Sequence, residues 1–169
     1  MDADTFREKV LAFTVAELLA GHGIILDELR RREVVRSSNS PLSDYAELLF
    51  CNAFGWQREN NSAAGHDATD GQGVRYQVKG RRLTRHNKSR QMSAIRNLDS
   101  RPFDYLAGVL MDENFLVVRA ALVPFSVVRA RATDVAHTNS ARFLLRDDVW
   151  GDAGVRDVTD DLRRAALAI

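Results

Sequence analysis

The stretch that most constrains this chain is Gly65-His66-Asp67-Ala68-Thr69-Asp70-Gly71-Gln72-Gly73-Val74-Arg75-Tyr76-Gln77-Val78-Lys79-Gly80-Arg81. Two runs of strand-forming residues flank a glycine-rich turn, the pattern of a β-hairpin. Side chains alternate across a strand. Val74, Tyr76 and Val78 are therefore expected to face a core, and Arg75, Gln77, Lys79 and Arg81 the other side. A three-residue turn over Gly71–Gly73 sets Asp67 opposite Gln77, with Lys79 diagonal to it. A two-residue turn would set Asp67 opposite Tyr76, on the wrong face. The odd loop is favoured because it needs a left-handed residue and a glycine is available. Asp70 belongs to an Asp-Gly turn dipeptide and reads as turn chemistry. His66 should point away from Asp67 and reads as structural.

A carboxylate and a side-chain carbonyl oxygen suit a hard divalent cation such as Mg²⁺. A lysine on the same face suits a phosphate and an attacking water. Asp67 followed by Gln77-Val78-Lys79 resembles the PD-(D/E)xK nuclease superfamily, with its restriction-endonuclease-like fold. The glutamine in the (D/E) position resembles the Mrr-type variant. His66 stands where the superfamily name has proline. Gln77 removes one negative charge from the site.

The resemblance implies a fold and a set of roles. The fold would be α/β (α+β): a mixed central β-sheet flanked by helices, with an N-terminal helical extension. Asp67 would be the main Mg²⁺ ligand, with Mn²⁺ as a substitute. Gln77 would add its side-chain oxygen and Val78 its main-chain carbonyl. Lys79 would align water and counter charge on the phosphate. The product would carry a 5′-phosphate. The activity implied is that of a metal-dependent DNA endonuclease of restriction or defence type. A module of the same fold that binds nucleic acid without cutting is the alternative, as is a subunit of a larger complex docking through its N-terminal helices.

The chain has 169 residues, enough for one domain with one sizeable core. It divides into an N-terminal helical part (1–35), a nuclease-like core (40–123), and C-terminal helices with a short strand (124–169). A 45% apolar and 28% charged composition is ordinary for a globular protein. The net charge of +1 excludes a global polycation, so a nucleic-acid surface must come from local clustering. The one cysteine, Cys51, excludes an internal disulfide and fits a reducing interior. No apolar run has membrane-spanning length, and the first residues do not read as a signal peptide. A cytoplasmic location is expected, with no membrane partner.

Residues 5–33 read as two helical pieces broken at Gly21-His22-Gly23 and covering the main core. A docking arm, a dimer interface and a DNA clamp are the other readings. Residues 34–39 read as irregular. A helix then runs from Pro41 to about Phe54, capped by Ser40 or Ser43. It is apolar nearly all round except at Glu47, whose face carries Phe50, Cys51 and Phe54. Glu47 reads as a second metal-site carboxylate, restoring the charge that Gln77 withdraws, rather than as the partner of an arginine. Trp56–Glu59 reads as the first strand.

Between Gly71 and Leu98 there is no acidic residue. Arg75, Arg81, Arg82, Arg85, Lys88 and Arg90 lie in this span and are the candidate DNA contacts, with duplex the expected form. Arg96 also falls inside it. Residues 91–98 read as a short helix, 103–110 and 115–123 as strands, 124–132 as a helix, 141–145 as a short strand, and a last helix starts near Thr159. His137 reads as a surface residue in a loop. A homodimer and a partner subunit are both compatible with this reading.

Overall fold

A computed structural model describes residues 2–36, 40–59 and 65–169. The architecture is α+β: a mixed six-stranded sheet, a separate three-stranded sheet, and five α-helices among the described residues. The elements run α1 (Ala3–Leu11), α2 (Val15–Arg31), α3 (Leu42–Phe54), β1 (Gln57–Arg58), β2 (Ala68–Thr69), β3 (Arg75–Arg82), β4 (Ile95–Arg96), β5 (Tyr105–Met111), β6 (Val117–Pro124), α4 (Phe125–Arg131), β7 (Thr133–Val135), β8 (Ser140–Arg142), β9 (Arg156–Asp157) and α5 (Thr159–Ala166). The large sheet has the order β1-β2-β3-β5-β6-β9, and the small one β4-β8-β7.

In the large sheet only β3 and β5 pair in parallel. A parallel pair needs a crossover. The basic segment after β3 supplies it, together with β4, rather than a helix. The alternation of β3 sorts its side chains as expected. Tyr76 and Val78 are buried in one core with Ala46, Leu49 and Phe50 of α3. Gly80 continues that face: a Cβ there would come within 3.2–3.3 Å of Leu42 and Ala46, so α3 rests directly on β3. Phe50, Trp56, Tyr76 and Tyr105 form a continuous aromatic stack across this layer. The opposite face holds a second core, around Phe103, Leu106, Phe143 and Leu145, closed by the small sheet and α4.

Several boundaries differ from those read in the sequence, each for a local reason. The N-terminal break falls at residues 12–14, not at Gly21–Gly23. Thr14 accepts from the Glu17 N–H while the Glu17 carboxylate accepts from the Thr14 N–H, a capping box that starts α2 afresh. The helix then runs straight through both glycines, so His22 is mid-helix and not at an end. No residue of α2 is buried, and neither α1 nor α2 belongs to either core. The expectation that this part covers the core is therefore wrong. Helix α3 begins after Pro41 with no side-chain cap from Ser40 or Ser43, and Gly55 ends it at φ 68°. Val34 and Val35, read as irregular, are buried. Residues 37–39 lie outside the described residues.

Residues 91–98 do not form a helix. Met92, Ile95 and Leu98 are buried with helical spacing, yet Gln91 bridges to Leu144 and β4 pairs with β8. Spacing of three is equally served here by an irregular strand tucked under a core, and Asn97 in the left-handed region breaks any helix. The loop around His137 is flanked by β7 and β8, with His137 exposed.

Candidate active site

The hairpin register is the odd one. Ala68 pairs with Tyr76 and Thr69 with Arg75, which leaves Gly71–Gly73 as the loop and puts Asp67 level with Gln77. Gly73 takes φ +78°, the left-handed position the loop requires. Asp70 holds the turn: its Oδ1 accepts from the Gln72 and Val74 N–H groups, and its Oδ2 from the Tyr76 hydroxyl. His66 sits 3.8 Å from Glu59, away from this group.

The sheet stops at Asp67, and its carboxylate takes over from the ladder. Oδ2 accepts from the Val78 N–H at 2.7 Å and from the Gln77 amide nitrogen. Oδ1 has no hydrogen-bond partner among the described residues. Burial pushes the Asp67 carboxyl above its ordinary value, against the pull of the Val78 N–H and the Lys79 ammonium. Lys79 follows on the same face of β3. Burial pushes its ammonium below the usual lysine range, while Asp67 and Glu47 oppose the shift and Arg96 adds to it. The Lys79 side chain makes no hydrogen bond or ion pair among the described residues.

Glu47 lies on α3, the layer packed on the other face of β3. Burial and the nearby Asp67 charge push its carboxyl up, so the two carboxylates feel each other. Its hydrogen bonds, however, go elsewhere. Oε2 accepts from Arg36 and, at 3.1 Å, from Arg58. The Glu47 side chain is only 12% exposed and that of Arg58 17%. The pairing with arginines, set aside in the sequence reading, is what α3 presents.

Gln77 and Lys79 open onto a cleft of ≈ 390 Å³ whose other walls include Arg96, Asn97 and Ser100. No acidic side chain lines it. Arg96 is exposed and without an ion pair among the described residues. The six predicted DNA contacts lie outside this cleft. Arg75 is paired with Asp104, and Arg90 with Asp147. Arg81 donates to the Ser89 carbonyl, and Arg82 to the Glu113 carbonyl beneath Phe115. Arg85 lies against His86, and Lys88 is exposed. Arg96 thus shares the cleft with Lys79, and it is not among the six cations singled out from the sequence. The acid-free span contained it, but only the β4 fold-back brings it to Lys79.

A divalent cation fits the donors here in part. Asp67 Oδ1 is open, the Gln77 amide can turn its oxygen forward, and the Val78 main chain is adjacent. Glu47 is held by two cations. No set of three or more His, Cys, Asp or Glu side chains among the described residues is placed to hold a metal. The seat is a single carboxylate with neutral oxygens, so affinity for Mg²⁺ is expected to be weak, about millimolar.

Metal-free, the half-buried Asp67 carboxylate should cost stability. Its folded pKa is raised, so the folded state binds the extra proton between the ordinary value and the raised one. Stability attributable to this group therefore falls as pH rises through that window. Asp67→Asn keeps acceptors for Val78 and should unfold at a higher temperature than wild type at pH 7 in chelator. At pH 3, where both states are protonated, the gap should close. Thermal melts at the two pH values check this.

No protein-family model matches the chain, and no curated protein matches it. Among the described residues no helix is long and apolar enough to cross a membrane.

Proposed function

We propose that the chain is a metal-dependent endonuclease acting on DNA in the cytoplasm. The observation that carries this reading is the cleft itself: two cations without ion pairs, Lys79 and Arg96, line it, and the half-buried Asp67 carboxylate, with one open oxygen, lies on the same face of the hairpin as Lys79. A phosphodiester anion is the natural occupant of an acid-free cationic cleft. Asp67, Gln77 and Val78 would hold Mg²⁺ or Mn²⁺, which when bound supplies Lewis acidity at the phosphate oxygens and an activated water. Lys79 offsets negative charge as it builds on the phosphate, in a partly desolvated site where that is worth most. Arg96 anchors a non-bridging oxygen, and the exposed cations after β3 take flanking phosphates. Glu47, within reach of the Asp67 charge, sets the field of the site through Arg36 and Arg58.

One observation favours a second reading, a module that binds duplex without cutting. Glu47 is already neutralised, and Gln77 presents its nitrogen to Asp67. Titration with Mn²⁺ separates the two. An active site should melt at a higher temperature with millimolar Mn²⁺, and Asp67→Asn should lose that rise. A non-cutting module should show neither.

Arg96→Ala should weaken duplex binding and flatten the dependence of log affinity on log salt by about 0.9. It should raise KM more than it lowers kcat, because the guanidinium grips the ground state and the transition state alike. Fluorescence anisotropy across a salt series checks the first part.

A further inference from the structure

The two sides of β3 are paired unequally. Toward β5 the pairing runs from Tyr76 to Arg82. Toward β2 it ends at Tyr76, and only the Asp67 carboxylate reaches further, to the Val78 N–H. Residues 79–82 therefore present an open edge. Along a strand, the N–H and C=O of one residue turn to one side and those of the next to the other. The Tyr76 carbonyl accepts from the Asp67 N–H on the β2 side, and the Arg75 carbonyl accepts from the Asp104 N–H on the β5 side. The same alternation turns the Gly80 N–H to the open edge.

That edge lines a second cleft, of ≈ 440 Å³, beside the one that holds Lys79. The two adjoin along the chain: Lys79 and Ala94 line the first, Gly80 and Ser93 the second. The walls of the second also include Ser43, Arg81 and Thr84, and no acidic side chain lines it. Arg81 Nε donates to the Ser89 carbonyl at 2.9 Å, which anchors the guanidinium. Its two Nη groups have no partner among the described residues. The Arg82 guanidinium is turned away, bonded to the Glu113 carbonyl and lying over Phe115. Arg81 is thus the cation this cleft offers. An anchored guanidinium, hydroxyls and an edge N–H, with no acid near, suit the oxygens of a phosphate.

We propose that the second cleft holds the phosphate next to the scissile one on the same DNA strand, an inference that rests on the reading of the Lys79 cleft as the cutting site. Lys79 and Arg81 share one face of β3 and are two residues apart, about 6–7 Å. That is the size of the step between consecutive phosphates of an extended strand. Arg81 and the Gly80 N–H bind the non-bridging oxygens of the neighbour. With the neighbour fixed, the scissile phosphate cannot slide past Lys79.

Anisotropy of a labelled duplex in chelator reads binding without cleavage. Arg81→Ala should weaken it about tenfold and flatten the dependence of log affinity on log salt by about 0.9. Ser93→Asp puts a carboxylate in the second cleft, removes no cation, and should weaken binding at least as much. Arg156→Ala removes an exposed cation from β9, at the far edge of the sheet, and should leave binding unchanged. In the wild-type chain the Gly80 amide resonance should shift on titration with a 5′-phosphorylated thymidine dinucleotide, and less with thymidine 5′-monophosphate. Arg81→Ala should abolish that difference. Circular dichroism confirms folding of the variants, and the wild-type Gly80 result stands if either does not fold. Duplex binding that Arg96→Ala weakens but Arg81→Ala and Ser93→Asp do not, with a Gly80 resonance that stays in place, overturns the second subsite alone. A wild-type chain that binds no duplex overturns the reading of the Lys79 cleft, and this subsite with it.

Discussion

Replacing Lys79 by alanine should lower the rate of DNA cleavage by about 10²–10³-fold, the usual loss when one preorganised charge is taken from a transition state. Duplex affinity should fall far less. Three features of the site lead to this asymmetry. The Lys79 side chain makes no hydrogen bond or ion pair among the described residues, so none is lost with it. Its ammonium is partly desolvated and opens on a cleft without acids. Arg96 and the exposed cations beyond β3 remain to hold the backbone. The variant should also melt no lower than wild type, because a half-buried ammonium without a hydrogen-bond or ion-pair partner contributes little to stability. Single-turnover cleavage and anisotropy on one preparation read both effects. Equal losses in rate and affinity would make Lys79 a binding residue only.

Glu47→Ala is the second large effect, and it separates two roles for one carboxylate. Glu47 ties together three segments: α3 that carries it, Arg36 after α2, and Arg58 in β1. Removing it leaves Asp44, at 3.7–3.8 Å, as the carboxylate shared by both guanidinium groups, and Arg58 is 17% exposed with its Nε already unpartnered. Leaving a buried charge wholly unpaired costs about 3–5 kcal/mol; the loss here should be smaller, about 1–3 kcal/mol, because Asp44 still faces both arginines and Arg36 is closer to solvent. Pairing the change with Arg58→Met should recover part of that loss, as Asp44 then has a single guanidinium to balance. Chemical denaturation of the two variants tests this. A Glu47 that served the metal alone would show the reverse, with stability unchanged and Mn²⁺ affinity lost.

The parts legible in the sequence were those governed by local periodicity. Alternation in 74–81 and the glycine at 73 were enough for the register that sets Asp67 level with Gln77. Asp70 was recognisable as a turn residue because its bonds are all within six positions. Gly55 and Pro124 marked helix limits for steric reasons that need no partner. What escaped depended on contacts distant in sequence. Met92, Ile95 and Leu98 mimic a helix because the second core collects every third side chain from an irregular segment. Glu47 feels the Asp67 charge, but the arginines it bonds come 11 residues away on each side, where no spacing rule reaches. The amphipathic face of α2 read as a core-facing helix because the pattern records that a face is apolar and not what covers it. Only the absence of α1 and α2 from both cores separates those cases.

The most direct measurement is cleavage of supercoiled plasmid by the purified full chain with Mn²⁺ or Mg²⁺, with end-group analysis of the products. Nicked or linear DNA bearing 5′-phosphates, lost on chelation and lost again in Asp67→Asn, is the expected result. A wild-type chain that binds duplex yet leaves plasmid intact with both metals, or cleavage undiminished in Asp67→Asn, would contradict the account.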